Sequence, residues 1–377
     1  MMLLISCSSK KGNNISYIDI TKAIDKEILL SDIAEDIHYV ALSNEMLIGD
    51  IVSVELSDSL IFLSPASETL YVFDRDGKLK SRIGKRGKGP GEYNYSNNFT
   101  IDKNKRTIYI LNTISKNILK YSFEGKFLGE LSLQNLNTFF NEIILSNNYL
   151  FLFEGINGGY GKYDWVKIDT NGDIISKKLN YIKEFPSYHQ CCGNKQVAYN
   201  NTLYYWNQIN DTIFEISNEK HSPAFMFAQG DFRFPKQKVG EFPMRYFFPR
   251  VIFITKKYVL LGYGYQYQSF TALYEKSKKQ LYVINKTDNM ELWRGPGIVN
   301  DFDSGLPLIP LSYYRNEKDE EFIVSKVDPF QLKSLVASEV FKNSTSRYPE
   351  KKKELEKLAL GLKENDNPIL MITKLKD

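Results

Sequence analysis

Leu70-Tyr71-Val72-Phe73-Asp74-Arg75-Asp76-Gly77-Lys78-Leu79-Lys80-Ser81-Arg82-Ile83 decides the fold. An apolar run, an Asp-Gly turn signal and a second short run read as two strands of a hairpin. The glycine has a local reason, because a tight turn needs positive φ and Gly adopts it cheaply. Two more strand-like runs precede it, Ile51-Val52-Ser53-Val54 and Leu60-Ile61-Phe62-Leu63, separated by Ser-Asp and Pro-Ala-Ser turn signals. Together these runs make a unit of four strands.

The unit recurs. Thr107–Leu111, Ile118–Tyr121 and Phe127–Leu131 repeat it around Gly125, and Tyr149–Phe153, Trp165–Asp169 and Ile174-Ile175 repeat it around Gly172. A fourth copy runs through Thr202–Trp206, Asp211–Ile216 and Ala224–Phe227, turning near Glu219. The fifth runs through Tyr258–Leu261, Phe270–Tyr274 and Gln280–Ile284, turning near Ser277. Successive turns are 48, 47, 47 and 58 residues apart, the last step leaving room for an insertion around Phe232–Arg250. Four strands per ~40–50 residues is the β-propeller signature, because a blade buries both its faces only against neighbouring blades.

A sixth unit is less regular. Leu306–Leu311 and Glu321–Ser325 read as its strands, followed by a helix that starts at Asp328-Pro329-Phe330, with Asp as N-cap and Pro at the first helical position. A second helix runs from Pro349 through Leu355, Leu358, Ala359 and Leu362. The final strand, Ile369–Thr373, needs a neighbour, and His38–Leu42 is a strand with no hairpin partner. Pairing them closes the ring and removes exposed edges. The expectation is therefore an all-β, six-bladed propeller of four-stranded blades over residues 15–377. N- and C-terminal strands meet in its last blade, and a helical insertion spans about 328–363. Residues 15–35 are expected to pack against the main body.

Composition agrees. Hydrophobic residues make up 42% of the 377, with 25 Tyr and 24 Phe, a bias towards pleated, half-buried surfaces. The net charge of +4 is too small and too dispersed for a nucleic-acid partner. The three cysteines, Cys7, Cys191 and Cys192, show no zinc-ligand spacing. A bond between the adjacent Cys191 and Cys192 would be strained, leaving two reduced thiols as the simpler expectation.

At the N-terminus, Leu4-Ile5-Ser6-Cys7 looks like a bacterial lipobox, making Cys7 the site of lipidation and the residues up to 14 a short signal and tether. The apolar stretch before it is shorter than a full signal peptide.

Several further segments carry a family resemblance: Leu47-Ile48-Gly49, Val72–Lys78, Gly89-Pro90-Gly91-Glu92-Tyr93, Asn210–Phe214, Asp303-Ser304-Gly305-Leu306-Pro307 and Glu364–Leu370. With these the chain resembles the NHL-repeat-like six-bladed propeller lipoproteins of Bacteroidetes. The resemblance implies a lipid-anchored protein of the cell envelope and carries over no catalytic residues. Lys10-Lys11 stand where acidic residues favour surface export in such lipoproteins, which points to the periplasmic face.

Candidate sites are few. Gly84–Tyr93 holds Lys85, Arg86 and Lys88 among glycines, a composition able to cradle an anion, with Glu92 and Tyr93 closing the loop. It lacks the Gly-Lys-Ser/Thr ending of a nucleotide loop and equally suits a connector between blades one and two. Phe242–Arg250, with Arg245 and Tyr246, offers aromatic and basic side chains for a recognition face or for the core. Asp164, Asp211, Asp301, Asp303 and Glu92 would have to converge on the axis to bind Ca2+ or to act as acid and base. His189-Gln190-Cys191-Cys192 is too sparse for a metal site, and no cofactor is expected. The functional expectation is an envelope binding module for a glycan, peptide or partner protein, its rival a carboxylate- or metal-dependent lyase or hydrolase.

Overall fold

The computed structural model describes residues 15–66, 69–95, 98–154, 161–180, 197–199, 202–206, 211–217, 220–228, 230, 245–289 and 294–377. Cys7, His189, Cys191, Cys192 and residues 242–244 lie outside them.

Six antiparallel sheets form the propeller. Blade one comprises Ile51–Leu56, Leu60–Pro65, Leu70–Asp74 and Leu79–Ile83. Blade two runs from Phe99 to Ser132, blade three from Phe140 to Leu179, blade four from Val197 to Ala228 and blade five from Phe248 to Thr287. Blade six takes Ser312–Arg315, Glu321–Val327 and Ile369–Leu375, and Ala34–Ala41 closes it as the outer strand, with Ile372 opposite His38. The expected closure is therefore present, on a strand that starts four residues before His38.

One expectation is displaced. Leu306–Leu311 is not the inner strand of blade six; that strand is Ser312–Arg315, and the earlier segment keeps only an isolated bridge between Ile298 and Leu308. Pro307 and Pro310 have no N–H to give a ladder, which explains the shift. The helical excursion also differs in detail. Pro329–Ala337 ends at Ser338, whose hydroxyl caps a new short helix, Glu339–Asn343, before Pro349–Gly361.

The repeating turns show why the period is visible. Asp74 accepts bonds from the N–H groups of Asp76 and Lys78, Ser122 from Glu124 and Lys126, and Asp169 from Asn171 and Asp173. Gly77, Gly125 and Gly172 then turn at φ +83°, +89° and +101°. Each glycine also seats on the outer strand of the preceding blade. A Cβ on Gly77 would run into the Ala41 carbonyl, one on Gly125 would stand 2.8 Å from the Arg82 carbonyl, and one on Gly172 would meet Leu131.

Around the axis the inner strands have open edges whose backbone groups need partners. Side chains of neighbouring blades supply some of them. Ser312 Oγ donates to Val54 O at 2.7 Å, Ile101 N donates to Glu55 Oε2 at 3.3 Å, and Leu145 N donates to Thr100 Oγ1 at 3.2 Å.

The N-terminal segment does more than pack. Ser16–Asp19 lies parallel to Lys220–Ala228 as a fifth strand of blade four, and Ile24–Asp25 lies parallel to Gln280–Thr287 on blade five. This strap covers two outer edges before entering blade six.

Candidate binding face

Every blade is a meander, so its turns sort by topology. Hairpins joining the first to second and third to fourth strands fall at one end of the propeller. Second-to-third loops and blade-to-blade connections fall at the other, the loop end. Gly84–Tyr93, Arg245, Tyr246, Asp301, Asp303 and the helical excursion all belong to the loop end.

Gly84–Tyr93 does connect the outer strand of blade one to the inner strand of blade two. Lys85-Arg86 pairs in parallel with Glu92-Tyr93, and Gly87 N donates to Tyr93 O at 3.0 Å. The loop holds an anion, and that anion is its own. Glu92 accepts from Gly89 N at 2.8 Å and pairs with Lys85 Nζ at 2.9 Å. The Gly89 bond, followed by Lys85, holds the Glu92 carboxyl below its ordinary range. Tyr93 is fully buried, donating to Ile83 O while accepting from Leu70 N, and burial raises its pKa. Of the predicted residues here, Lys85, Arg86 and Lys88 are exposed; the Arg86 guanidinium lies 5.5 Å from the Tyr95 ring centroid.

At the entry to blade five Arg245 is exposed and Tyr246 half-buried, whereas Phe247, Phe248 and Arg250 are buried. Arg250 donates to Ser269 Oγ at 3.0 Å, and desolvation lowers its pKa to about 10. That part of the aromatic segment is core.

The carboxylates engage separate neighbours. Asp301 accepts from Ser31 N at 2.8 Å and from Ser31 Oγ, tying the strap to the blade five–six connection. Asp303 is buried against Asn300 Nδ2 and Gly305 N, each at 2.8 Å, and desolvation raises its pKa. Asp164 stands on blade three, where burial raises its pKa to about 6, and Asp211 precedes Thr212 on blade four. No group of three His, Cys, Asp or Glu able to hold a metal ion occurs among the described residues.

Two features were not legible in the sequence. Glu55 lies on the inner strand of blade one, and desolvation raises its pKa to about 7. At the hairpin end Tyr314 donates to Asp58, with Lys103 Nζ 4.5 Å and the Arg75 guanidinium 5.6 Å from its ring centroid. These groups come from blades six, one and two, so no local motif announces them.

The two ends differ in what they expose. Leu47, Tyr95, Ile114, Phe139, Tyr267 and Val299 are exposed large apolar residues on loop-end connections. The described hairpin-end turns carry none; they read Ser57-Asp58-Ser59, Arg75–Lys78, Lys103–Arg106, Asn147-Asn148, Asp169–Asp173, Thr255-Lys256-Lys257, Lys276–Lys279 and Asn316–Glu320, with Phe123 of a further turn buried, while Phe127, Leu128, Ile174 and Ile175 are exposed on the outer strands that leave two of them.

Residues 15–374 match the domain of unknown function DUF4934. The chain belongs to the DUF4934 family. This DUF4934 chain is also similar to a Bacteroides fragilis protein described as exported, with TM-score 0.69 and 19% identity over 96% of this chain and 100% of that one. A structural-genomics protein of unknown function from Bacteroides thetaiotaomicron matches at TM-score 0.47 and 9% identity, over 92% and 74% of the two chains. A DUF4221 family member from Bacteroides vulgatus matches at 0.46 and 10%, over 91% and 97%. No curated protein matches this DUF4934 sequence. At 19% identity the likeness to the Bacteroides fragilis protein establishes the fold alone.

Proposed function

We propose that this DUF4934 protein is a cell-envelope binding module, tethered by lipid at Cys7, whose loop end receives a glycan, peptide or partner protein. The observation that carries the proposal is the asymmetry between the ends: exposed apolar and aromatic side chains gather on the loop end, while the hairpin turns are polar. Apolar surface rimmed by polar groups marks interaction sites where it is contiguous, and Tyr95, Ile114 and Phe139 stand on connections bonded to one another. An exported structural neighbour supports an envelope location, the Leu4–Cys7 pattern supports the lipid tether, and Lys10-Lys11 favour the periplasmic face. The NHL-like kinship of the repeat belongs to the same reading.

A glycan and peptide array probed with the purified chain tests it. The expected result is a ligand whose binding falls at least tenfold in a Tyr95→Ala/Tyr267→Ala variant and is unchanged by Lys105→Ala at the hairpin end. Binding lost equally in both variants would contradict the assignment of the face, and turnover of a bound ligand would replace the module with an enzyme. For the tether, Cys7→Ala should release the protein from membranes when expressed in a lipoprotein-processing host.

A further inference from the structure

Three connections above blade two are bonded to one another. Asn94 Nδ2 donates to Asn112 Oδ1 at 3.2 Å, linking the blade one–two connection to the second-to-third loop of blade two. Thr113 Oγ1 donates to Phe140 O at 2.8 Å, linking that loop to the start of blade three. Across these joins Tyr95, Ile114 and Phe139 are 48%, 62% and 54% exposed. Cations accompany them: Arg86 stands beside Tyr95, Lys116 has its Nζ 4.2 Å from the Phe139 ring centroid, and Lys88 is exposed on the same connector as Arg86.

None of these three cations makes an ion pair among the described residues. The nearby acids are engaged elsewhere: Glu92 by Lys85 and Gly89, Glu130 by Asn117 Nδ2 at 2.7 Å, and Glu154 by Thr138 and Tyr163 N. The patch therefore offers uncompensated positive charge around apolar tips.

We infer that this surface, Tyr95, Ile114 and Phe139 ringed by Arg86, Lys88 and Lys116, docks on the headgroup region of an anionic lipid bilayer. The inference rests on the loop end being the contact face and names one partner of its blade-two sector. Aromatic rings settle at the headgroup level, aliphatic tips at the acyl boundary, and cations against acidic headgroups. A sugar chain would stack on the rings but leave Ile114 in water. The bilayer uses all six side chains.

The test is co-sedimentation of the unacylated full chain with vesicles of phosphatidylethanolamine containing about 30% phosphatidylglycerol, beside pure phosphatidylcholine vesicles and soluble polygalacturonate. Binding is expected to the anionic vesicles, to weaken with salt, and to fall about fivefold for each of Arg86→Ala and Lys116→Ala. Ile114→Ser and Phe139→Ser should weaken it too, and Lys105→Ala should not. Circular dichroism confirms that each variant is folded. Absence of vesicle binding overturns the inference, as does vesicle binding indifferent to Ile114 and Phe139. Preference for the soluble polyanion would overturn it as well. A glycan or peptide ligand found without vesicle binding sinks this inference while leaving the binding module standing.

Discussion

Gly77 is held by two constraints at once, a φ of +83° and the Ala41 carbonyl of the neighbouring blade where a Cβ would go. Gly77→Ala should therefore destabilise the fold by on the order of 2–3 kcal/mol, read from urea unfolding. Gly49, outside the positive-φ set and with open space around its Cβ position, serves as the control: Gly49→Ala should change stability by less than about 0.5 kcal/mol. Glu55 makes a pH-dependent contribution. Its carboxyl titrates near 7 when folded against an ordinary 4.5, so the folded state binds the proton more tightly. That contribution is present below the unfolded value and lost as pH rises from about 4.5 through 7. The loss is on the order of 3 kcal/mol. Glu55→Gln should flatten the pH profile of the melting temperature across this window; an unchanged profile would remove Glu55 as its source. At residue scale the sequence was informative where geometry is local. The Asp74–Gly77 turn could be read directly, whereas Glu55 reaches Ile101 across a gap of 46 residues.

The N-terminal strap shows what an element can hide. Its strands are four and two residues long and pair in parallel with strands roughly 200 and 260 positions away, too short to carry a periodic signal. Yet Ile18 is fully buried within it. Ile18→Asp would place an unpaired carboxylate in that core and should cost on the order of 4 kcal/mol, seen as an earlier urea midpoint. By exposing the outer edge of blade four it should also promote self-association, measurable by light scattering. The Gly84–Tyr93 connector is the opposite case. Its composition announced a Gly-rich turn with cations, but chain geometry chose the anion, and Glu92 occupies the cradle.

For the whole molecule the decisive event is closure. Ile369–Leu375 stands between Glu321–Val327 and Ala34–Ala41, joining the two ends of the chain in one sheet. A chain ending at Pro368 would lose the third strand of blade six and leave the N-terminal strand without a ladder. Far-UV circular dichroism should then show no cooperative melting, whereas removal of Lys376 and Asp377 alone should preserve it.

By itself the sequence determined the repeat, the number of blades and the pairing that closes the ring. The first two rest on alternation and on turn chemistry, which operate within a few residues; the closing pair followed from His38–Leu42 and Ile369–Thr373 being the two strands left without a hairpin partner. It also placed the helical excursion, through Pro and the apolar spacing of Pro349–Leu362, although the break at Ser338 and the shift to Ser312–Arg315 depended on packing and on the missing N–H groups of Pro307 and Pro310. Only the tertiary structure decided which charges remain free. Lys85 and Arg86 are adjacent in sequence and alike in chemistry, but Lys85 reaches Glu92 and Arg86 turns to Tyr95. Whether a charge is neutralised depends on which side chains come within a few ångströms, and folding brings those together from different blades.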